Sequence, residues 1–164
     1  MLEIITCRMS ATGVWGYDFY VAENRNRIGT VSAIVSPKAL VRIESAGVHW
    51  YSRFDIDTTI IPGIGRRVND NASGEEVYRL IYWRPGLYQL RCTADSVGVE
   101  IRDGKYLFGR EGMPVTALTE HFSSASWITR QDADYEPYFR TVFYEDVSET
   151  YAMMVLSFPA LRFY

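Results

Sequence analysis

Short runs of β-branched and aromatic residues recur along the whole chain, each closed by a turn signal. Residues 2–9, 14–23 and 28–35 come first. The polar turn Asn24-Arg25-Asn26-Arg27 joins the second to the third, and Ser36-Pro37 ends it. Residues 40–44 and 48–55 form the next pair about Ser45-Ala46-Gly47, and a short run at 58–61 stops at Pro62-Gly63. Further on, 77–84 and 87–93 flank Pro85-Gly86, and 97–102 and 105–110 flank Asp103-Gly104, a residue pair favoured in type I′ hairpins. A corner at Glu111-Gly112-Met113-Pro114 leads into 115–120, followed by a polar stretch through Ser123-Ser124, a short candidate at 127–129 and a clear one at 138–145. About ten to twelve short strands at such spacing make a sandwich or a barrel.

Two segments break the rhythm. Residues 62–75 hold Pro62, Gly63, Gly65, Asn69, Asp70, Asn71, Ser73 and Gly74, which predicts a loop of about a dozen residues. It divides the chain into two halves of similar pattern without residue-level identity. Residues 147–158, VSETYAMMVLSF, change period, and the second half of this segment is apolar nearly all round. A helix capped by Asp146 and Glu149 and stopped by Pro159 is the reading; a strand is the alternative, because short apolar runs are ambiguous. Twelve helical residues span about 18 Å. A helix apolar on every side is buried on every side, so the expectation is a closed sheet with a helix threaded through it. The last four residues leave room for a final short strand.

The chain has 164 residues, 48% of them hydrophobic and 15% aromatic, enough for one domain with a sizeable core and too little for two. Residues 1–164 are therefore read as a single domain. Such a composition opposes disorder. The net charge of -3 opposes a strongly basic nucleic-acid binder. Fifteen arginines stand against only two lysines, Lys38 and Lys105, which reads as coding bias. Residues 131–150 carry six acids against Arg140 alone, a solvated acidic edge or half of a cation site. Cys7 and Cys92 are isolated, lack a CxxC, and read as small buried hydrophobes in a reducing compartment. The first residues, MLEIITCRM, carry no signal-peptide pattern, and no apolar run of about 18 residues spans a membrane. The expected location is cytoplasmic. Asn71-Ala72-Ser73 matches a glycosylation sequon, read as chance.

A search for chemistry returns little. His49 and His121 both sit beside apolar residues and read as structural. HExxH, CxxC, HxH, GxSxG, Walker and GxGxxG patterns are all absent, so no catalytic residue, metal or cofactor is assigned. Gly63-Ile64-Gly65-Arg66-Arg67 looks like part of a phosphate cradle: glycines let backbone amides approach an anion, and Arg66 and Arg67 could fork onto phosphate. These two arginines are the candidate ligand-binding residues; the alternative is a plain turn. Asp55-Ile56-Asp57 lacks the rest of a calcium loop, and Asp132, Asp134 and Glu136 share one face only if that segment is extended. Trp15, Tyr17, Phe19, Tyr51, Phe54, Tyr82, Trp83 and Tyr88 read as core or cross-strand pairs; exposed next to Arg53 or Arg84 they would form a partner patch.

Three segments carry a family likeness: VGVEIRDGKYLFGREGMPVTALTE, PYFRTVFYEDVSETYAMMVLSFPALRF and YDFYVAENRNRIGTVSAI. With them the chain resembles the tubby C-terminal-like group, including the LURP-one-related and phospholipid-scramblase-like proteins. The resemblance implies a mainly β fold, a closed antiparallel barrel of about twelve strands around a hydrophobic C-terminal helix. It also implies a non-enzymatic binding or scaffold domain that meets anionic phospholipid headgroups or a protein partner, peripherally at a membrane in the first case. The chain departs from the family in having no Lys-Arg cluster, no Cys-rich segment and no acidic calcium motif. Two other readings compete. A lipocalin-like barrel for an apolar ligand requires a hollow interior and a terminal strand. An enzyme using His49 or His121 requires one of them in a cleft beside a carboxylate.

Overall fold

The computed structural model describes residues 1–11, 14–23, 25, 27–34, 39–43, 54–61, 65–70, 73–93, 95–110, 112–124 and 135–161. Among these, twelve strands precede one helix: β1 (Leu2–Ala11), β2 (Val14–Val21), β3 (Arg27–Ile34), β4 (Ala39–Ile43), β5 (Phe54–Ile61), β6 (Gly65–Asp70), β7 (Glu76–Arg84), β8 (Leu87–Arg91), β9 (Ser96–Arg102), β10 (Lys105–Gly109), β11 (Val115–His121), β12 (Tyr135–Phe143) and α1 (Glu149–Leu161). The fold is mainly β, antiparallel, with one C-terminal helix. Each strand pairs with its neighbours in chain order, and β1 pairs with β12 as well as with β2. None of the described helices is long and apolar enough to cross a membrane.

Turn chemistry sets the hairpins where the residues announced them. Asp103 and Gly104 both have positive φ, 52° and 74°, as a type I′ turn needs. Arg102 and Lys105 then pair directly across β9 and β10. Alternation follows from the pleat: in β9, Val97 and Val99 are buried while Gly98 and Glu100 face out.

The helix begins one cap later than the acids suggested. Ser148, rather than Asp146, caps it: its Oγ accepts from the Tyr151 amide at 3.2 Å and its carbonyl from the Ala152 amide at 2.9 Å. Nor does Pro159 stop the helix, which runs on to Leu161. Proline there gives up its own amide bond and crowds the Val155 carbonyl, but only two helical residues follow it, so little of the helix is left to disturb. The terminal segment is helical, so the strand alternative falls.

Every side chain from Tyr151 to Phe158 is buried, and these residues share one core cluster with Ile4, Phe19, Val68, Tyr78, Val99 and Phe139 among others from the strands. The face of the sheet that meets α1 is its inner face. Phe158 stands edge-on to Tyr88, Tyr106 and Phe108. Two polar pairs tie α1 to the sheet. The Tyr78 hydroxyl meets Ser157 Oγ, which donates to the Met153 carbonyl at 2.6 Å. The Tyr151 hydroxyl meets Thr116 Oγ1, which donates to the Phe108 carbonyl at 3.1 Å. Burial pushes the Tyr78 and Tyr151 phenols above the ordinary tyrosine range. On the other face, Ile5, Cys7 and Tyr20 gather with Ala22 and Phe122.

Two expectations about the middle of the chain are corrected. The dozen-residue loop at 62–75 contains a strand, β6, laddered to β5 and β7 on its two sides. Its residues have poor strand propensity, so cross-strand hydrogen bonds hold it rather than preference. Gly65 opens it with φ of 148°, and a Cβ there would fall 1.9 Å from the Leu80 carbonyl oxygen. Only glycine lets the backbones come so close. The short run at 58–61 belongs to β5, which starts at Phe54. The expected strand start at 48, the candidate at 127–129, the breaker Ser36-Pro37 and residues 162–164 lie outside the described residues.

Candidate functional site

The outer face of β7 to β11 carries a trough of about 780 Å³, lined among others by Trp83, Leu87, Gln89, Gly98, Leu107 and Val115. Its shape comes from two glycines. Gly98 on β9 pairs directly with Gly109 on β10, and on its other side with Gln89 on β8. Because Val99 and Phe108 point inward, both glycines stand on the outer face, where two missing side chains lower the wall. Leu107 and Val115 border the dip on one side, and Trp83 and Leu87 on the other.

Trp83 is 58% exposed and Val115 42%. A large indole left in water beside an apolar trough is unlike the scattered apolar atoms of an ordinary surface. The apolar strip continues past Val115. The Tyr144 amide donates to the Thr116 carbonyl at 2.9 Å, which brings the exposed Tyr144 beside Val115; Met113, two residues before Val115, is exposed as well.

Glu100, Arg102 and Arg110 line the trough together with Ser96 and Gln89, and its charged groups are mostly matched. Arg102 Nη2 donates to both oxygens of Glu100, at 2.8 and 2.9 Å. Arg110 holds Asp95 through two bonds, Nη2 to Oδ2 at 2.8 Å and Nε to Oδ1 at 3.1 Å. Its Nη1 lies 3.4 Å from Glu145, and its guanidinium sits 4.9 Å above the Tyr151 ring. The Arg110 hydrogen bonds hold the Asp95 carboxyl below the usual carboxylate range, and Asp95 raises the Arg110 guanidinium in return.

The arginine pair singled out in the sequence lies elsewhere. Arg66 and Arg67 are consecutive in β6, opposite Leu80 and Arg79 on β7. The side chain of Arg66 is not among those described. Arg67 is 3.3 Å from Glu76, which also binds Arg79. Gly63 and Ile64 of the supposed cradle lie outside the described residues. The aromatic reading divides: Phe19 is core, Tyr88 touches Phe158, and Tyr82 pairs edge-on with Tyr88 across β7 and β8 at 5.5 Å, whereas Trp83 is exposed. The side chains of Trp15, Tyr17, Tyr51 and Phe54 are not among those described.

His121 closes β11, exposed, its ring 5.1 Å from that of Tyr138 and 5.2 Å from that of Phe139. No carboxylate ion pair with it occurs among the described residues. His49, Asp132 and Asp134 lie outside them. Among the described residues no three His, Cys, Asp or Glu side chains gather to hold a metal ion. Cys7 is buried, and Cys92 is half-buried beside a small cleft formed with Glu76, Arg79 and Arg91.

Sequence reasoning missed the trough because its signal is an absence of side chains on neighbouring strands. Gly98 and Gly109 are eleven positions apart and meet only through the hairpin register. The Asp103-Gly104 turn would have located that pairing. No protein-family model, no characterised protein and no solved structure matches the chain.

Proposed function

We propose that the chain is a non-enzymatic binding domain, a closed tubby-like barrel around its own helix, which docks a protein partner in the outer trough of β7 to β11. The observation that carries this reading is Trp83, exposed at the edge of an apolar trough whose floor is two paired glycines. Pairing of β1 with both β2 and β12 supports closure. A closed sheet has no edge to offer, so a partner must bind through side chains rather than strand addition. An aromatic anchor in a concave apolar surface is the usual centre of such contacts.

Charge argues for protein over lipid headgroup. Arg67, Arg79, Arg102, Lys105, Arg110 and Arg140 each lie within ion-pair distance of a carboxylate. Cations so matched have little left for an anionic surface. The apolar-ligand reading loses its space, because α1 side chains occupy the inner face.

The test is to fill the trough and compare binders. Peptides selected from a random twelve-residue display library on the purified protein are measured by fluorescence anisotropy on wild type and on Gly98→Val. The new Cβ would meet the Gly109 carbonyl oxygen at 3.4 Å, an ordinary contact, so the fold should persist. Binding should weaken about tenfold or more, the loss of one well-placed apolar contact. An empty selection, or binders indifferent to Gly98→Val and to Trp83→Ala, overturns the reading. So does salt-sensitive sedimentation with phosphoinositide vesicles that is lost in Arg66→Ala/Arg67→Ala and absent with neutral vesicles; that result returns the function to headgroup binding.

A further inference from the structure

Resting on that docking function, we propose that the occupant of the trough is an extended protein segment whose apolar side chains are followed by basic residues, the basic end lying over Glu145 and Asp146. Length comes first. Four strand spacings separate β7 from β11, about 19 Å, which about six extended residues cover. A helix is about 10–12 Å across with its side chains; a dip made by two absent side chains is too narrow for it. An extended segment presents every second side chain to the wall, so the indole of Trp83, the glycine floor and Val115 would meet successive inward side chains.

Direction comes from charge. At the Trp83 end, Arg102 and Glu100 neutralise each other, and Arg84 follows Trp83 as an exposed cation. At the Val115 end the balance reverses. Arg110 is held by Asp95 through two bonds and lies 3.4 Å from Glu145, and the exposed Asp146 comes next in the chain. Two carboxylates, Asp95 and Glu145, thus face one guanidinium, which is directed to Asp95, and the exposed Asp146 adds a third acid next to Glu145 in the chain. The exposed Tyr144 and Met113 flank this acidic end. A segment that continues past Val115 with arginine or lysine finds carboxylates and an aromatic ring together, which suits a cation. An acidic segment would meet repulsion there and a gap in partners.

The experiment separates this inference from the docking reading beneath it. The same library is panned on wild type and on Glu145→Gln/Asp146→Asn, which leaves the Arg110–Asp95 pair in place; circular dichroism melts check that the variant folds. Wild-type binders should carry Arg or Lys after an apolar pair. The tightest should weaken about tenfold on the variant, as removal of two exposed charge contacts allows, and also between 50 and 500 mM salt. Neutral or acidic binders that are still lost in Gly98→Val overturn the basic-segment inference and leave the docking face standing. Binders insensitive to Gly98→Val overturn both. A concentration-dependent dimer in sedimentation that Gly98→Val abolishes also overturns the inference, since the occupant is then a second copy of the chain.

Discussion

Truncation of Phe158 to alanine tests whether the helix is enclosed by the sheet. The ring is fully buried one residue before Pro159. Its centroid lies 5.2 Å from that of Tyr88, 5.8 Å from Tyr106 and 6.0 Å from Phe108, all edge-on. Phe→Ala in a core costs about 3–5 kcal/mol in lost transfer energy and cavity. Edge-to-face pairs add about 0.5–1.5 kcal/mol each beyond burial, and three share this ring. Part of that is already in the truncation figure, so the expected loss is at the upper end, about 4–5 kcal/mol. Against a typical stability of about 5–15 kcal/mol the variant still folds, but its melting temperature falls by about 10–20 °C. Urea titration followed by far-ultraviolet circular dichroism reads the loss at constant m-value. Phe158→Leu, which refills most of the cavity, should lose less. A loss below about 1.5 kcal/mol would refute the enclosure of α1, because only a ring with one side in water is removed so cheaply.

Other outcomes follow from single contacts. Gly65→Ala should prevent soluble expression or lower stability by more than about 3 kcal/mol, since its Cβ meets a backbone carbonyl; Gly104→Ala, with nothing within 4 Å, should cost about 1 kcal/mol. Equal melting temperatures for the two would contradict the β6–β7 approach. Arg110 lowers the Asp95 pKa, so the pair's stabilisation is present above the unfolded carboxylate pKa of about 3.9 and is lost as pH falls through the lower folded value. Asp95→Asn should therefore be destabilising at pH 7 and match wild type near pH 2; an unchanged difference at both pH values would refute the charge contribution. Buried Tyr78 keeps its proton in the folded state, so stability should drop once pH exceeds the unfolded tyrosine value of about 10. Spectrophotometric titration should show Tyr78 ionising only with unfolding, and Tyr78→Phe should remove that part of the alkaline loss.

Much of the local structure was legible because turn residues and period act at short range. Asp103-Gly104 and Pro85-Gly86 set their hairpins to the residue, and the all-round apolar pattern of 151–158 marked a helix buried on every side. Polar segments were harder. Arg66, Arg67, Asn69 and Asp70 read as loop, yet β5 and β7 supply hydrogen bonds on both sides and make a strand of them. The Ser148 cap was hidden beside Asp146 and Glu149, which look equally capable until the backbone angle at the helix start selects one.

The sequence by itself determined most of the segments that are strands, where most of them turn, and that the last apolar stretch must be covered on every side. Those properties depend on neighbouring residues, through steric preference and hydrophobic period. Only the tertiary structure decided which arginines are neutralised and which aromatic ring remains in water. Asp95 and Arg110 lie fifteen positions apart, Gly98 and Gly109 eleven, and Trp83 is distant in sequence from Val115. Strand register brings them together across the wall. Register follows from the sum of all ladder bonds and inward side chains, and no local pattern contains that sum.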